Sequence, residues 1–124
     1  MSYAQRLAAV AVTTAADGSA TAYSETCTGK VSTIRYIKTD FDNGSTITIT
    51  SEATGETIWT EANVNASATR APRQATHSTA GVAALYAAGG TAVNDKIALA
   101  NDRIKIVIAS GGNTKTGTFH FVLE

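Results

Sequence analysis

The chain of 124 residues is 44% hydrophobic and only 16% charged, and its ten Lys and Arg are balanced by ten Asp and Glu. That length implies a single domain over 1–124, able to bury roughly two-thirds of its unfolded surface without staples. Charge neutrality leaves no long-range field to draw in nucleic acid or an anionic membrane. The lone Cys27 rules out an intramolecular disulfide or a cysteine metal cluster, and no run approaches the ~20 apolar residues of a membrane-spanning helix.

The opening "MSYAQRLAAVAVTTAAD" superficially resembles an export signal, but its apolar run "LAAVAV" is shorter than the ~7–15 residues of a signal core, so Gln5–Thr14 reads as a first strand. Further strands are predicted at Ala20–Thr26, Val31–Asp40, Ser45–Ser51 and Glu56–Glu61. In "STITITS", Ile47 and Ile49 alternate with Thr46, Thr48 and Thr50, the period of a strand with one buried and one wet face. "DNG" and "ATGE" punctuate these runs as hairpin tips, with Asn43-Gly44 suited to a primed turn.

Residues 70 to 93, "RAPRQATHSTAGVAALYAAGGTAV", break the alternation. Within them "STAGVAALYAAGG" has a Ser or Thr to cap a helix, an Ala-rich interior and Gly89-Gly90 as a stop, so it predicts either a short helix or an irregular arm. The last third returns to strands at Lys96–Ala100, Arg103–Ala109 and Thr118–Leu123. Ile104, Ile106 and Ile108 share one face and Phe119, Phe121 and Leu123 another, and the two runs read as a hairpin closed by "SGGNTKTG". About eight short strands at this spacing predict an all-β fold, an antiparallel β-sandwich, jelly-roll-like in one version, with an arm at about 70–93.

No constellation for catalysis, metal or cofactor binding emerges. His77 and Ser78 are adjacent and so point to opposite faces of an extended chain, and His120 sits between Phe119 and Phe121, facing away from them. "DFDNGS" suggests a calcium loop, yet counting from Asp40 puts Gly44 and Ser51 where ligands are required. "SGGNTKTG" lacks phosphate-loop spacing, and "NGS" and "NAS" carry little weight as glycosylation acceptors. Trp59 and Tyr86 are the aromatics that a sugar-binding face would use; Trp59 reads better as core, while Tyr86 fits docking on its own body or on another subunit.

The runs "PRQATH", "LYAAGG", "DRIKI" and the closing "GTFHF" resemble a family of small virion proteins of tailed bacteriophages whose genes lie near the major capsid gene. The likeness is strongest over Pro72–Phe121 and extends through "IRYIKTDFDNGSTITITSEATGETI". It implies a capsid cement or decoration protein, made in the bacterial host cytoplasm and carried on the capsid surface. Its partners would be the major capsid protein and other copies of itself, as dimer or trimer, with no nucleic acid, membrane, small-molecule substrate or cofactor. A head–tail connector, collar or tail component is the alternative, a carbohydrate-binding module a remote one and a hydrolase using His77 and Ser78 more remote still. The residues expected to make contact are Arg70, Pro72, Arg73, Gln74, His77, Leu85 and Tyr86. The arginines offer forks for carboxylates, Pro72 fixes the backbone, and Leu85 and Tyr86 are apolar anchors.

Overall fold

The structure, a computed structural model, describes residues 4–124. Its strands are β1 (Gln5–Arg6), β2 (Val10–Thr13), β3 (Ala20–Tyr23), β4 (Cys27–Lys38), β5 (Thr46–Ser51), β6 (Thr57–Glu61), β7 (Ala68–Arg70), β8 (Gln74–Ala75), β9 (Asn94–Asp95), β10 (Ile97–Asp102), β11 (Ile104–Ala109) and β12 (Thr116–Leu123). One sheet runs β1–β12–β4–β10, with β2 also on β12 and β7 also on β4; the second runs β3–β11–β5–β6; β8 and β9 make a separate ribbon. All pairings are antiparallel. Both sheets feed one buried apolar cluster, an all-β architecture consistent with a β-sandwich.

Alternation decides which side chains enter that cluster. Ile47 and Ile49 on β5, Ile104, Ile106 and Ile108 on β11, and Phe119 and Phe121 on β12 are all 0% exposed. The intervening threonines of β5 and Lys105 and Val107 of β11 stay half-buried on the outer face, as the two-residue period of a strand requires. β11 is central, held by β3 on one side and β5 on the other.

Two expected hairpins are crossings instead. β11 and β12 lie in different sheets, as do β4 and β5. Each pair buries its apolar face in the same core, and stacking the strands face to face serves that better than placing them side by side. The 110–115 link turns through left-handed backbone at Ser110, Gly112 and Thr114, and it is longer than most hairpin loops. The 40–45 link is not a solvent-facing tip, because Phe41 is buried and its ring fills the space where Gly117 has no Cβ. Of Asn43 and Gly44 only Gly44 is left-handed, at φ 87°, so the primed turn, which needs both, does not form.

Three other expectations shift in detail. The first strand is broken into β1 and β2, with Leu7 tucked into the core and its N–H donated to the Phe121 carbonyl. The β5–β6 hairpin forms, but its register shifts between Ile49 and Thr50, where Trp59 and Thr57 are the partners. Ile58 is the extra residue of that bulge, so Ile58 and Trp59 are both buried rather than on opposite faces. The run after Lys96 continues to Asp102, bends at left-handed Asn101 and crosses from β4's sheet to the other as β11 begins.

Tyr36 stacks on Phe119 with ring centroids 5.0 Å apart and on Phe41 at 6.1 Å. Its hydroxyl is buried with no hydrogen-bond partner among the described residues, and burial pushes its pKa up to about 12. An unmet buried hydroxyl costs desolvation without return. Tyr36→Phe is therefore expected to raise the unfolding free energy by about 1 kcal/mol, read as a higher urea midpoint. A lower midpoint would mean that the hydroxyl is bonded.

Candidate interaction arm

Between β7 and β10 the chain leaves the two sheets. Gln74 and Ala75 pair with Asp95 and Asn94 as the β8–β9 ribbon, and isolated bridges continue it at His77–Ala83 and Leu85–Ala92. Three segments are stitched around one point: Thr76 N–H donates to the Val93 carbonyl at 2.7 Å, Ala84 N–H to the Thr76 carbonyl at 2.7 Å, and Val93 N–H to the Ala84 carbonyl at 2.9 Å. Residues 78–90 are turns and bridges, so the short-helix alternative is overturned and the irregular arm stands. Gly81 and Gly89 take left-handed φ values of 79° and 71°. A two-turn helix broken by such residues, with no face docked on a core, cannot meet its nucleation cost.

Every residue from His77 to Thr91 is exposed. Val82 is 65% exposed, Leu85 44% and Tyr86 76%. Between Arg73 and Asp95 there is no Asp, Glu, Lys or Arg. The arm is thus an uncharged projection whose large apolar side chains have no core of their own to enter. Val82 was missed by sequence reasoning; the signal was a β-branched residue standing alone between a turn glycine and alanines.

The predicted contact residues divide. Leu85 and Tyr86 are on the exposed arm, His77 lies on its bridged stem, and half-buried Pro72 with Arg73 and Gln74 forms the base. Arg73 donates to the Ser32 carbonyl at 3.1 Å and to the Pro72 carbonyl at 2.8 Å. Arg70 already has a partner within the chain. Its Nε and a terminal nitrogen donate to the two carboxylate oxygens of Glu61 at 2.9 and 2.8 Å, tying the edge strand of one sheet to the edge strand of the other. Its guanidinium also lies 5.7 Å over the Trp59 ring, so the aromatic face that a sugar module would need is covered.

The Arg70 fork, with help from Trp59 Nε1, holds the Glu61 carboxyl below its ordinary value of 4.5. A depressed carboxylate stabilises the fold above its unfolded pKa, and that contribution is lost as pH falls through the folded pKa. The stability gap between the parent and Glu61→Gln is expected to be constant at neutral pH and to shrink as acid titrations pass below the ordinary glutamate range. A gap that persists unchanged into strong acid would separate the pair from the effect.

The remaining titratable candidates serve the fold. Buried Asp102 accepts hydrogen bonds from Ser51 Oγ and from the N–H groups of Ala53 and Arg103, and the Ser51 hydroxyl leads in lowering its pKa. Burial pushes the Cys27 thiol up. His120 lies opposite Arg35 on the outer face of β12. Asp40 accepts from Thr116 N–H at 2.6 Å and from its hydroxyl, which clasps the 40–45 link to β12. Among the described residues no group of three His, Cys, Asp or Glu side chains is placed to hold a metal ion. The His77 and Ser78 side chains make no hydrogen bond to each other; Ser78 Oγ accepts from Val82 N–H. No protein-family model and no curated protein matches the sequence.

Proposed function

We propose that the protein is a structural component of a tailed-bacteriophage virion, a cement or decoration protein on the capsid surface that stabilises the head by bridging capsid subunits. The carrying observation is the arm, an uncharged projection that holds Val82, Leu85 and Tyr86, the three most exposed of the large apolar side chains, while Tyr23 and Ile37 on the threonine-rich body are less exposed. "PRQATH" and "LYAAGG" of the phage-protein resemblance fall on this arm, "DRIKI" runs into β11 and "GTFHF" lies in β12. The chain's repeated passage between sheets, at β4 to β5, β10 to β11 and β11 to β12, supports a jelly-roll-like reading of the sandwich.

A protein of this kind needs no active site. Many copies, each making a modest contact of about 1,600 Å² or less, stabilise a lattice through avidity, and the partners are the major capsid protein and further copies in a dimer or trimer. The test is co-sedimentation with assembled shells and with free capsid subunits, followed by electron microscopy of the decorated particle. Binding to shells in preference to free subunits, with density over the icosahedral lattice, supports the reading. A sixfold or twelvefold ring in native mass spectrometry, with density only at the neck or tail, replaces it with a connector or tail component.

A further inference from the structure

Three asparagines converge on Gly44, the left-handed residue of the link between β4 and β5. Asn43 precedes it, the Gly44 N–H donates to Asn65 Oδ1 at 2.7 Å, and Asn63 Oδ1 lies 3.9 Å from where a Cβ on Gly44 would stand. Asn43 is exposed, and its carboxamide oxygen accepts from Lys38 Nζ at 2.9 Å; the same ammonium donates to the Asn65 carbonyl at 3.0 Å. The link is tied down beside them, with Ser45 Oγ donating to the Asp42 carbonyl at 2.6 Å and Val64 N–H to the Ser45 carbonyl at 3.0 Å.

An asparagine followed by glycine has a covalent reaction open to it. The amide nitrogen of the glycine, having shed its proton, attacks the side-chain Cγ. The N–Cγ bond forms, the Cγ–Nδ2 bond breaks and ammonia leaves; water then opens the five-membered imide to aspartate or isoaspartate, with no oxidation or reduction. Gly44 has no Cβ to hinder that attack, and Lys38 Nζ sits where negative charge would develop on Asn43 Oδ1. The bond from Gly44 N–H to Asn65 opposes the reaction. It exists only while the nitrogen keeps its proton, so it disfavours loss of that proton, and it holds the peptide plane in place. We propose that Asn43 is a self-modification site whose rate Asn65 sets: the folded protein keeps the amide, and release of the Gly44 N–H lets the imide form. Isoaspartate would add a backbone atom to a link that runs between buried Phe41 and buried Ser45, and either product would put a carboxylate beside Lys38.

The test is incubation of the whole protein in warm, mildly alkaline buffer, read by intact mass, peptide mapping of Asn43 and enzymatic labelling of isoaspartate. The folded parent is expected to convert Asn43 about tenfold or more slowly than the same chain held unfolded in urea. Asn65→Ala, checked for an unchanged melting curve, is expected to convert Asn43 about tenfold faster than the folded parent. Asn65→Asp keeps an acceptor at the same reach and is expected to hold the parental rate. Asn43→Gln, whose longer side chain does not close a five-membered ring, is expected to gain no mass at this position. Should Asn65→Ala not fold, Asn65→Ser, with a hydroxyl too short to reach Gly44, takes its place. Equal rates in the folded and unfolded parent, or in the folded parent and the Asn65 truncation, would overturn the proposal. So would faster conversion in Asn65→Asp, which would make the acceptor a base for the reaction rather than a restraint on it.

Discussion

Phe119→Ala is expected to lower the unfolding free energy by about 3–5 kcal/mol, and Ile106→Ala by about 2–5 kcal/mol. Phe119 is fully buried on β12, faces Tyr36 across the β12–β4 pairing and stacks on its ring. Ile106 enters the same cluster from one of the two inner strands of the other sheet. Neither site is near an edge where the structure could close over a cavity, so the lost transfer energy and the void add. Against the ~5–15 kcal/mol typical of a domain, either loss shifts the urea midpoint strongly at constant slope. Thr118→Ala, one residue along β12 and on the outer face, is expected to stay within about 0.5 kcal/mol. If all three variants unfold at the parental midpoint, the core lies elsewhere.

Tyr86→Ala is expected to weaken binding to assembled shells by about 2 kcal/mol or more, roughly thirtyfold, while circular dichroism and the melting curve remain those of the parent. The separation of the two readouts follows from placement. Tyr86 is the most exposed of the large apolar side chains, so truncating it creates no cavity in its own body. A rigid amphipathic ring on an arm with no competing charge is well suited to fill a neighbour's pocket. Arg73→Ala reports on the arm's base, where its guanidinium holds two backbone carbonyls. Were both variants to bind shells like the parent, the arm would have no part in attachment.

The strand content was legible because period two is written into individual residues: Ile47 and Ile49 against Thr48, and Ile104, Ile106 and Ile108 against Lys105 and Val107, give the buried faces without knowledge of partners. Which strands lie side by side was not legible. β11 and β12 carry the same kind of alternation whether they pair or stack, and only the shared core, with Phe41 packed over Gly117, decides for stacking. The bulge that buries Ile58 with Trp59 depends on register against β5, a relation between distant choices rather than a local pattern. At the arm, sequence reading located Leu85 and Tyr86, and the Ala-rich composition left helix and loop open until Gly81 and Gly89 took left-handed backbone. That Arg70 has Glu61 as a partner within the chain was not legible, because Glu61 is nine positions back on a strand of the other sheet.

The place of β12 bears on how the molecule comes into being. Thr116–Leu123 forms the seam between β1 and β2 on one side and β4 on the other, with Gln5 opposite Leu123 and Val12 opposite Gly117. β4 can pair with β7 and β10 without the chain ends, but segments from opposite ends of the sequence must meet before β1 and β2 join this sheet through β12, and that loop-closure entropy is met before those contacts form. Acquisition of structure should be late and concerted, on the order of milliseconds to seconds rather than microseconds. A ribosome-bound chain still lacking Thr116–Leu123 would hold β1, β2 and β4 as unpaired edges, open to the wrong partner. The interval between emergence of β1 and arrival of β12 is when chaperones would matter most.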